Sequence, residues 1–427
     1  MYLKFYRWIT YLASPFVDLY LAIRKKTGKE DKKRFHERLG GASVPRPSGM
    51  LLWVHAASVG EAVSVMPLIK SLVEKYSKIN VLITTGTVTS AKMLEKNLPP
   101  RTVHQYIPID RLVAVRSFLS HWQPNVALWV ESELWPNLII ETKRSGCTMI
   151  QVNARISENS YAKWKRARSL AEKMLGCFSL SLAQSREVAV RLEDMGARNV
   201  KYKGNLKFDA PPLPADPQKT GELLKMIGAR QLWVAASTHD GEERIVTQAH
   251  MKLKNNNKDV LTIIVPRHPG RGQEILQQIK EISGGINVAI RSLDQRIETG
   301  TDIYIADTIG ELGIFFRLAG VVFVGGSLVD HGGQNPLEAA RLDCAIISGP
   351  NTQNFIEVYN EMKHDGAFIE VADGYGLATA ADRLLNEPEL QEAMSSRAFE
   401  LVENKRGIVD LYLKEIEPYI SADGEIK

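Results

Sequence analysis

A chain of 427 residues is too long for one ordinary hydrophobic core, so two domains of about 200 residues each are expected. Apolar residues make up 44% and charged residues 24%, which excludes a disordered or fibrous protein. The net charge of +5 suits an anionic partner but is too mild to select nucleic acid, and no basic block with interleaved aromatics suggests RNA, so no nucleic-acid partner is expected.

Residues 1–34 read as a membrane-associating segment. Tyr2 to Ile23 is rich in aromatic and aliphatic side chains, and a basic run follows with Arg24, Lys25, Lys26, Lys29, Lys32, Lys33 and Arg34. Pro15 and Asp18 interrupt the apolar part and no small-residue cleavage site ends it, so a removed secretory signal is not expected. A spanning helix needs about 20 mostly apolar residues. Lys4, Arg7 and Asp18 make this stretch a marginal one, and the pattern favours an interfacial helix with aromatics among headgroups and cations drawn to anionic lipid. An ordinary first helix packed on its domain would carry the same spacing.

From Met50 onward short apolar runs alternate with amphipathic stretches, the pattern of parallel strands joined by helices. Strands are predicted at 51–54, 81–84, 126–130 and 149–152. Four prolines in APPLPADP, Ala210 to Pro217, break the alternation and mark a linker. The pattern restarts with strands at 232–236, 261–265, 303–306, 321–324 and 344–347. Glu387 to Ile420 has helical spacing and either caps the second domain or crosses back to the first. The expected organisation is an α/β protein of two doubly wound domains, 35–209 and 221–427, around a linker at 210–220. Cys147, Cys177 and Cys344 lack metal-ligand spacing and fit buried apolar positions in a reducing compartment.

Ligands of such sheets bind outside the carboxyl ends of the strands, so the residues after each strand are the candidates. HAASVGE, His55 to Glu61, puts a carboxylate near a helix N-terminus, where it could act as a general base; Ser58 with Glu61 could equally be a capping pair. TTGT, Thr84 to Thr87, could offer hydroxyls to a ligand or simply cap a helix. VESELWPN places Glu131 and Glu133 directly after a strand, either for chemistry or for a favourable interaction with the helix beginning near Pro136. GNLKFD brings Lys207 to the hinge before the linker, where it could neutralise a phosphate or carboxylate or stand as a solvated lysine. In the second half ASTHDGEE, PRHP and GGSLVDHGGQNPLE follow strands. Their glycines could admit a phosphate to backbone N–H groups, Arg267 could fork onto it, and Glu338 could accept from ribose hydroxyls. No dehydrogenase fingerprint or Walker-type loop occurs in the expected context.

Taken together, HAASVGE, TTGT, ESELWPN, GNLKFD, STHDGEE, PRHP, GEL (Gly310 to Leu312) and GGQNPLE, in that order and with ERLG at Glu37 to Gly40, closely resemble the Kdo transferase family of Gram-negative bacteria, the lipid IVA 3-deoxy-D-manno-octulosonic acid transferases. The resemblance spans essentially the whole chain. It implies a GT-B glycosyltransferase fold, two Rossmann-like domains facing an interdomain cleft, with a lipid A precursor (lipid IVA) on the N-terminal domain and CMP-Kdo on the C-terminal one. It further implies Glu61 as general base, Glu131 and Lys207 as support for the transition state, and nucleotide contacts from Arg267, His268, Gly310, Glu311, Leu312, Asn335, Pro336, Leu337 and Glu338. The implied reaction is an inverting transfer of Kdo in lipopolysaccharide core biosynthesis, at the cytoplasmic face of the inner membrane. No Asp-x-Asp occurs, so no metal or other cofactor is expected. A GT-B enzyme that uses a UDP-sugar, transferase or 2-epimerase-like, would share the sheet pattern and is the alternative.

Overall fold

The computed structural model describes residues 2–95 and 97–420; Met1, counted above with the N-terminal segment, and 421–427, counted with the second domain, lie outside the described residues, as does Lys96. The chain forms two compact units, one of residues up to Ala210 joined by the stretch from Arg406, the other of Pro211–Lys405.

In the first unit seven strands form one sheet: β1 (Met50–His55), β2 (Ile79–Thr85), β3 (Thr102–Tyr106), β4 (Val126–Val130), β5 (Thr148–Ala154), β6 (Leu180–Ala183) and β7 (Val200–Tyr202). All pair in parallel in the order β3-β2-β1-β4-β5-β6-β7. Every residue of β1 and β4 is buried, as a central parallel strand covered on both faces requires. The strand order reverses between β1 and β4, the switch point at which doubly wound sheets open a crevice at the carboxyl ends. HAASVGE leaves β1 there and VESELWPN leaves β4 there.

The second unit repeats the design with β8 (Leu232–Thr238), β9 (Leu261–Pro266), β10 (Val288–Ile290), β11 (Ile303–Ile305), β12 (Val321–Val324), β13 (Ala345–Ser348) and β14 (Phe368–Glu370). The parallel order is β10-β11-β9-β8-β12-β13-β14, so its switch point lies between β8 and β12, which lead into STHDGEE and GGSLVDHGGQNPLE. All nine expected strands are present. The five without a predicted counterpart are β3, β6, β7, β10 and β14, which are edge or near-edge strands of three to five residues.

The expected single N-terminal helix is instead two, α1 (Tyr2–Leu12) and α2 (Ser14–Lys26), with Pro15 in the first turn of the second. Among the described residues no helix is long and apolar enough to cross a membrane. One side of the pair is docked on the first unit: the Tyr6 hydroxyl donates to Asp110 at 2.8 Å, Arg7 pairs with Glu141 at 2.6 Å, and Arg111 pairs with Asp18 at 2.7 Å. The other side leaves Phe5, Trp8, Tyr11, Phe16 and Leu19 in solvent. The basic run is divided too. Arg24 is held by Glu30 and Arg34 by the fully buried Glu37 of ERLG, whereas Lys26, Lys29, Lys32 and Lys33 are exposed.

The final helix, Ile408–Ile420, groups with the first unit, which corrects the assignment of 221–427 to one C-terminal domain. Its Tyr412 is fully buried and donates to Gly204 O at 3.0 Å, and Asp209 accepts the N–H groups of Gly407 and Val409 at the helix start.

Candidate active site

Glu61 is the third residue of helix Val59–Lys75, whose N-cap is Ser58. Its carboxylate accepts the Ala57 N–H and the Ser58 hydroxyl, each at 2.9 Å, while Ser58 Oγ accepts the Glu61 N–H at 3.3 Å. The capping pair therefore exists, and it fixes the carboxylate at the switch point. Loss of water around the half-buried group, with the negative charges of Glu131 and then Glu133, pushes its pKa up to about 7 despite those two hydrogen bonds. A carboxylate poised there can take a proton from a hydroxyl near neutral pH.

Glu131 follows β4 in a left-handed conformation (φ 55°), one that a non-glycine residue holds only when its surroundings enforce it. Its N–H donates to Val152 O at 3.1 Å, and the Gln151 side chain donates to its carbonyl at 3.0 Å. The buried carboxylate pairs with Lys207 Nζ at 2.8 Å. Lys207 is brought there by the short 3-10 turn Leu206–Asp209, in which Asn205 accepts the Lys207 N–H and Asn153 accepts the Leu206 N–H, each at 3.0 Å. Glu61, Glu131 and Lys207 thus form one cluster, and Lys207 is not a solvated surface lysine. In TTGT, Thr87 caps the next helix by accepting the Ser90 N–H at 3.1 Å, as the capping reading had it.

In the second unit the glycine-rich loop after β12 is built differently from the expected phosphate cradle. The N–H groups of Gly326, Ser327 and Leu328 all donate to the fully buried carboxylate of Glu242, at 2.6, 3.0 and 3.0 Å, and that carboxylate also accepts the His239 N–H at 2.9 Å. A carboxylate of the protein occupies the donors that glycine spacing had suggested for a nucleotide. Gly325 is required for this closeness, since a Cβ would meet Ser237 O at 2.7 Å. Next to the loop, His239 lies under His331 with ring centres 3.7 Å apart, edge-on to His268 at 5.9 Å, and 2.9 Å from the Gln334 amide. Arg271 is committed to Glu243, Asp240 and Glu274, whereas the exposed Arg267 guanidinium has no hydrogen-bond or ion-pair partner among the described residues. Asn335 organises the start of helix Leu337–Ala340 by accepting the Leu337 N–H at 3.1 Å and donating to Glu338 at 3.3 Å. Burial raises the Glu338 pKa, partly opposed by Asn335 and by the nearby Arg341 and Arg267.

Glu311 of GEL is committed elsewhere. Its carboxylate takes both forks of Arg291, Lys219 at 2.8 Å and the Thr308 hydroxyl, and these partners, Arg291 foremost, hold its pKa down to about 2. Gly310 beside it has a left-handed backbone (φ 86°), and Leu312 starts the helix Leu312–Leu318. Among the described residues no group of three or more His, Cys, Asp or Glu is arranged to hold a metal ion.

A family model described as 3-deoxy-D-manno-octulosonic-acid transferase (kdotransferase) matches residues 33–210. The 3-deoxy-D-manno-octulosonic acid transferase of Rickettsia felis is 36% identical over 87% of this chain and 79% of its own length. The chain belongs to that transferase family. The transferase of Rickettsia bellii is 31% identical over 98% of this chain and 99% of its own. The UDP-GlcNAc 2-epimerase of Neisseria meningitidis, bound to UDP-GlcNAc, is 15% identical and superposes with a TM-score of 0.59 over 86% of this chain and 100% of its own, a likeness of fold alone. The present chain is accordingly a glycosyltransferase with two seven-stranded parallel sheets.

Within this transferase Glu61, Glu131 and Lys207 meet, and Arg267, His268 and Asn335–Glu338 gather around the second switch point. Glu311 stands apart in its own ion-pair network with Arg291 and Lys219. Sequence reasoning missed Glu242 as the organiser of the glycine loop and His239 and His331 as its aromatic floor. STHDGEE and GGSLVDH contain all three, but Glu242 and Glu243 are both fully buried, and spacing alone does not say that Glu242 meets the loop's N–H groups while Glu243 meets Thr238 and Arg271.

Proposed function

We propose that this glycosyltransferase moves Kdo from CMP-Kdo to a hydroxyl of a lipid A precursor such as lipid IVA, with inversion, in lipopolysaccharide core biosynthesis. Glu61 takes the acceptor's proton as its oxygen attacks the anomeric carbon, the bond from that carbon to the phosphate oxygen breaks, and CMP leaves with the electron pair. Lys207 neutralises growing charge while Glu131 holds it in position. Arg267, with His268, the backbone of Gly310, Glu311 and Leu312, and the Asn335, Pro336, Leu337 and Glu338 segment, receives the nucleotide. CMP departs as a stable anion, so cationic side chains suffice and no metal is required. The enzyme works at the cytoplasmic face of the inner membrane, where the exposed apolar side of α1 and α2 and the four exposed lysines meet anionic lipid.

The observation that supports this reading best is Glu61 itself, a carboxyl with a pKa of about 7 fixed at the switch point beside the Glu131–Lys207 pair. Glu61→Gln should bind CMP as the wild type does and lose transfer by about a hundredfold to ten-thousandfold. Mass spectrometry of a lipid A precursor incubated with CMP-Kdo reads this directly, and near-wild-type product from the variant would refute the role. A UDP-sugar donor is the competing reading; product from UDP-GlcNAc and none from CMP-Kdo would favour it.

A further inference from the structure

A cavity of about 540 Å³ lies between α1, α2 and the loops that leave β1 to β4, within the ~300–1,000 Å³ typical of ligand sites. Ile9, Ala13, Val17 and Leu21 line it from the helices, His55 from the end of β1 and Ile107 from the loop after β3, and its surface is mostly apolar. We infer that this cavity seats an acyl chain of the acceptor during transfer, an assignment that rests on reading the acceptor as a lipid.

Three observations select that occupant. His55 is 1% exposed, with Nδ1 3.1 Å from Thr84 Oγ1, yet its Nε2 has no hydrogen bond among the described residues. Burial, with repulsion from Arg38, holds the ring neutral with a pKa of about 3, so the wall that His55 gives the cavity carries no charge, which suits an apolar chain rather than an anion. The cations at the cavity are already engaged: Arg24 and Arg38 share Glu30, at 2.7 and 3.5 Å, and Arg111 pairs with Asp18, which argues against an anion inside. The cavity also adjoins both the chemistry and the apolar surface. Ala57 borders it and gives its N–H to Glu61, while the helices that roof it expose Phe5, Trp8, Phe16 and Leu19 on their other side. A chain drawn from a bilayer into this space leaves its sugar end at Glu61.

Ala13→Phe and Val17→Phe fill the cavity from half-buried positions without touching Glu61. With detergent-dispersed substrates, to remove any effect of membrane docking, both variants should lower the ratio of kcat/KM for an acylated acceptor over its fully deacylated counterpart at least tenfold, with CMP affinity unchanged as the control for folding. A fluorescent fatty acid should bind the full-length wild type and bind the two variants at least tenfold more weakly. An unchanged ratio together with unchanged fatty-acid affinity overturns the assignment while transfer itself stands. Fatty-acid binding that the variants abolish, in a protein that transfers Kdo to no lipid, supports the cavity and defeats the proposed function instead.

Discussion

At Glu61 three influences compete. The helix N-terminus and two hydrogen bonds favour the anion, and loss of water together with Glu131 and Glu133 favours the acid; the second set wins by placing the pKa at about 7. The wild-type pH profile of kcat/KM should therefore fall on the acid side with a limb near pH 7, a limb absent from Glu61→Gln; a flat wild-type profile between pH 6 and 8 would contradict it. The same shift sets a stability trend. The folded state binds this proton more tightly than the unfolded chain, so the contribution is fully present below the ordinary value near 4.5 and is lost as pH rises through about 7. Glu61→Gln should thus melt higher than the wild type at pH 8, by up to about 2 kcal/mol, and the gain should vanish below pH 4.5. Glu311 has the opposite sign: its contribution is present above about 4.5 and is lost as pH falls through about 2. Glu311→Gln at pH 7 leaves Arg291 without its bidentate partner and should destabilise the second unit by about 3 kcal/mol, read by denaturant titration. Glu131 is legible in the sequence as an acid directly after an apolar run, Glu61 as the acid of a Ser-x-x-Glu turn after the first strand, and Glu311 only through the family resemblance. Their partners are not, because Lys207 lies 76 positions from Glu131 and Arg291 reaches Glu311 from another loop.

Elements were legible in proportion to burial. β1, β4, β8 and β12 read as unbroken apolar runs because helices cover both faces, whereas β7 and β14 are short edge strands whose pairing comes from their neighbours. α1 and α2 show where composition misleads. One apolar segment serves two purposes, docking through Tyr6, Arg7 and Asp18 and exposing Phe5, Trp8, Phe16 and Leu19, so neither a packed helix nor an interfacial one describes it alone. Trp8→Glu and Phe16→Glu remove exposed groups that neither dock nor line the cavity. Burying such a side chain is worth ~1.5–3 kcal/mol, so each variant should bind anionic vesicles about tenfold more weakly or worse in a flotation assay, with CMP binding intact. Unchanged flotation of the double variant would mean that another surface holds the membrane.

At the scale of the whole chain, the proline run marks the first crossing between units, since four prolines can neither continue a helix nor sit in a central strand. The return crossing at Arg406 has no such mark. Ile408–Ile420 is amphipathic, which says that one face is buried but not against which sheet. What decides it is a set of contacts far apart in sequence: Tyr412 reaches Gly204, Asp209 caps the helix start, and Ile408 packs on Gly204, where a Cβ would come within 2.8 Å. Each unit has its own hydrophobic core, so damage to this helix belongs to the first unit alone. Tyr412→Ala empties a fully buried site and removes the hydrogen bond to Gly204, a loss of about 3–5 kcal/mol. In calorimetry that should lower one transition by about 6–20 °C, since a unit of this size shifts ~2–4 °C per kcal/mol. The second transition should stay in place and rise with added CMP as in the wild type. A variant in which the CMP-sensitive transition fell instead would put the closing helix back with the second unit.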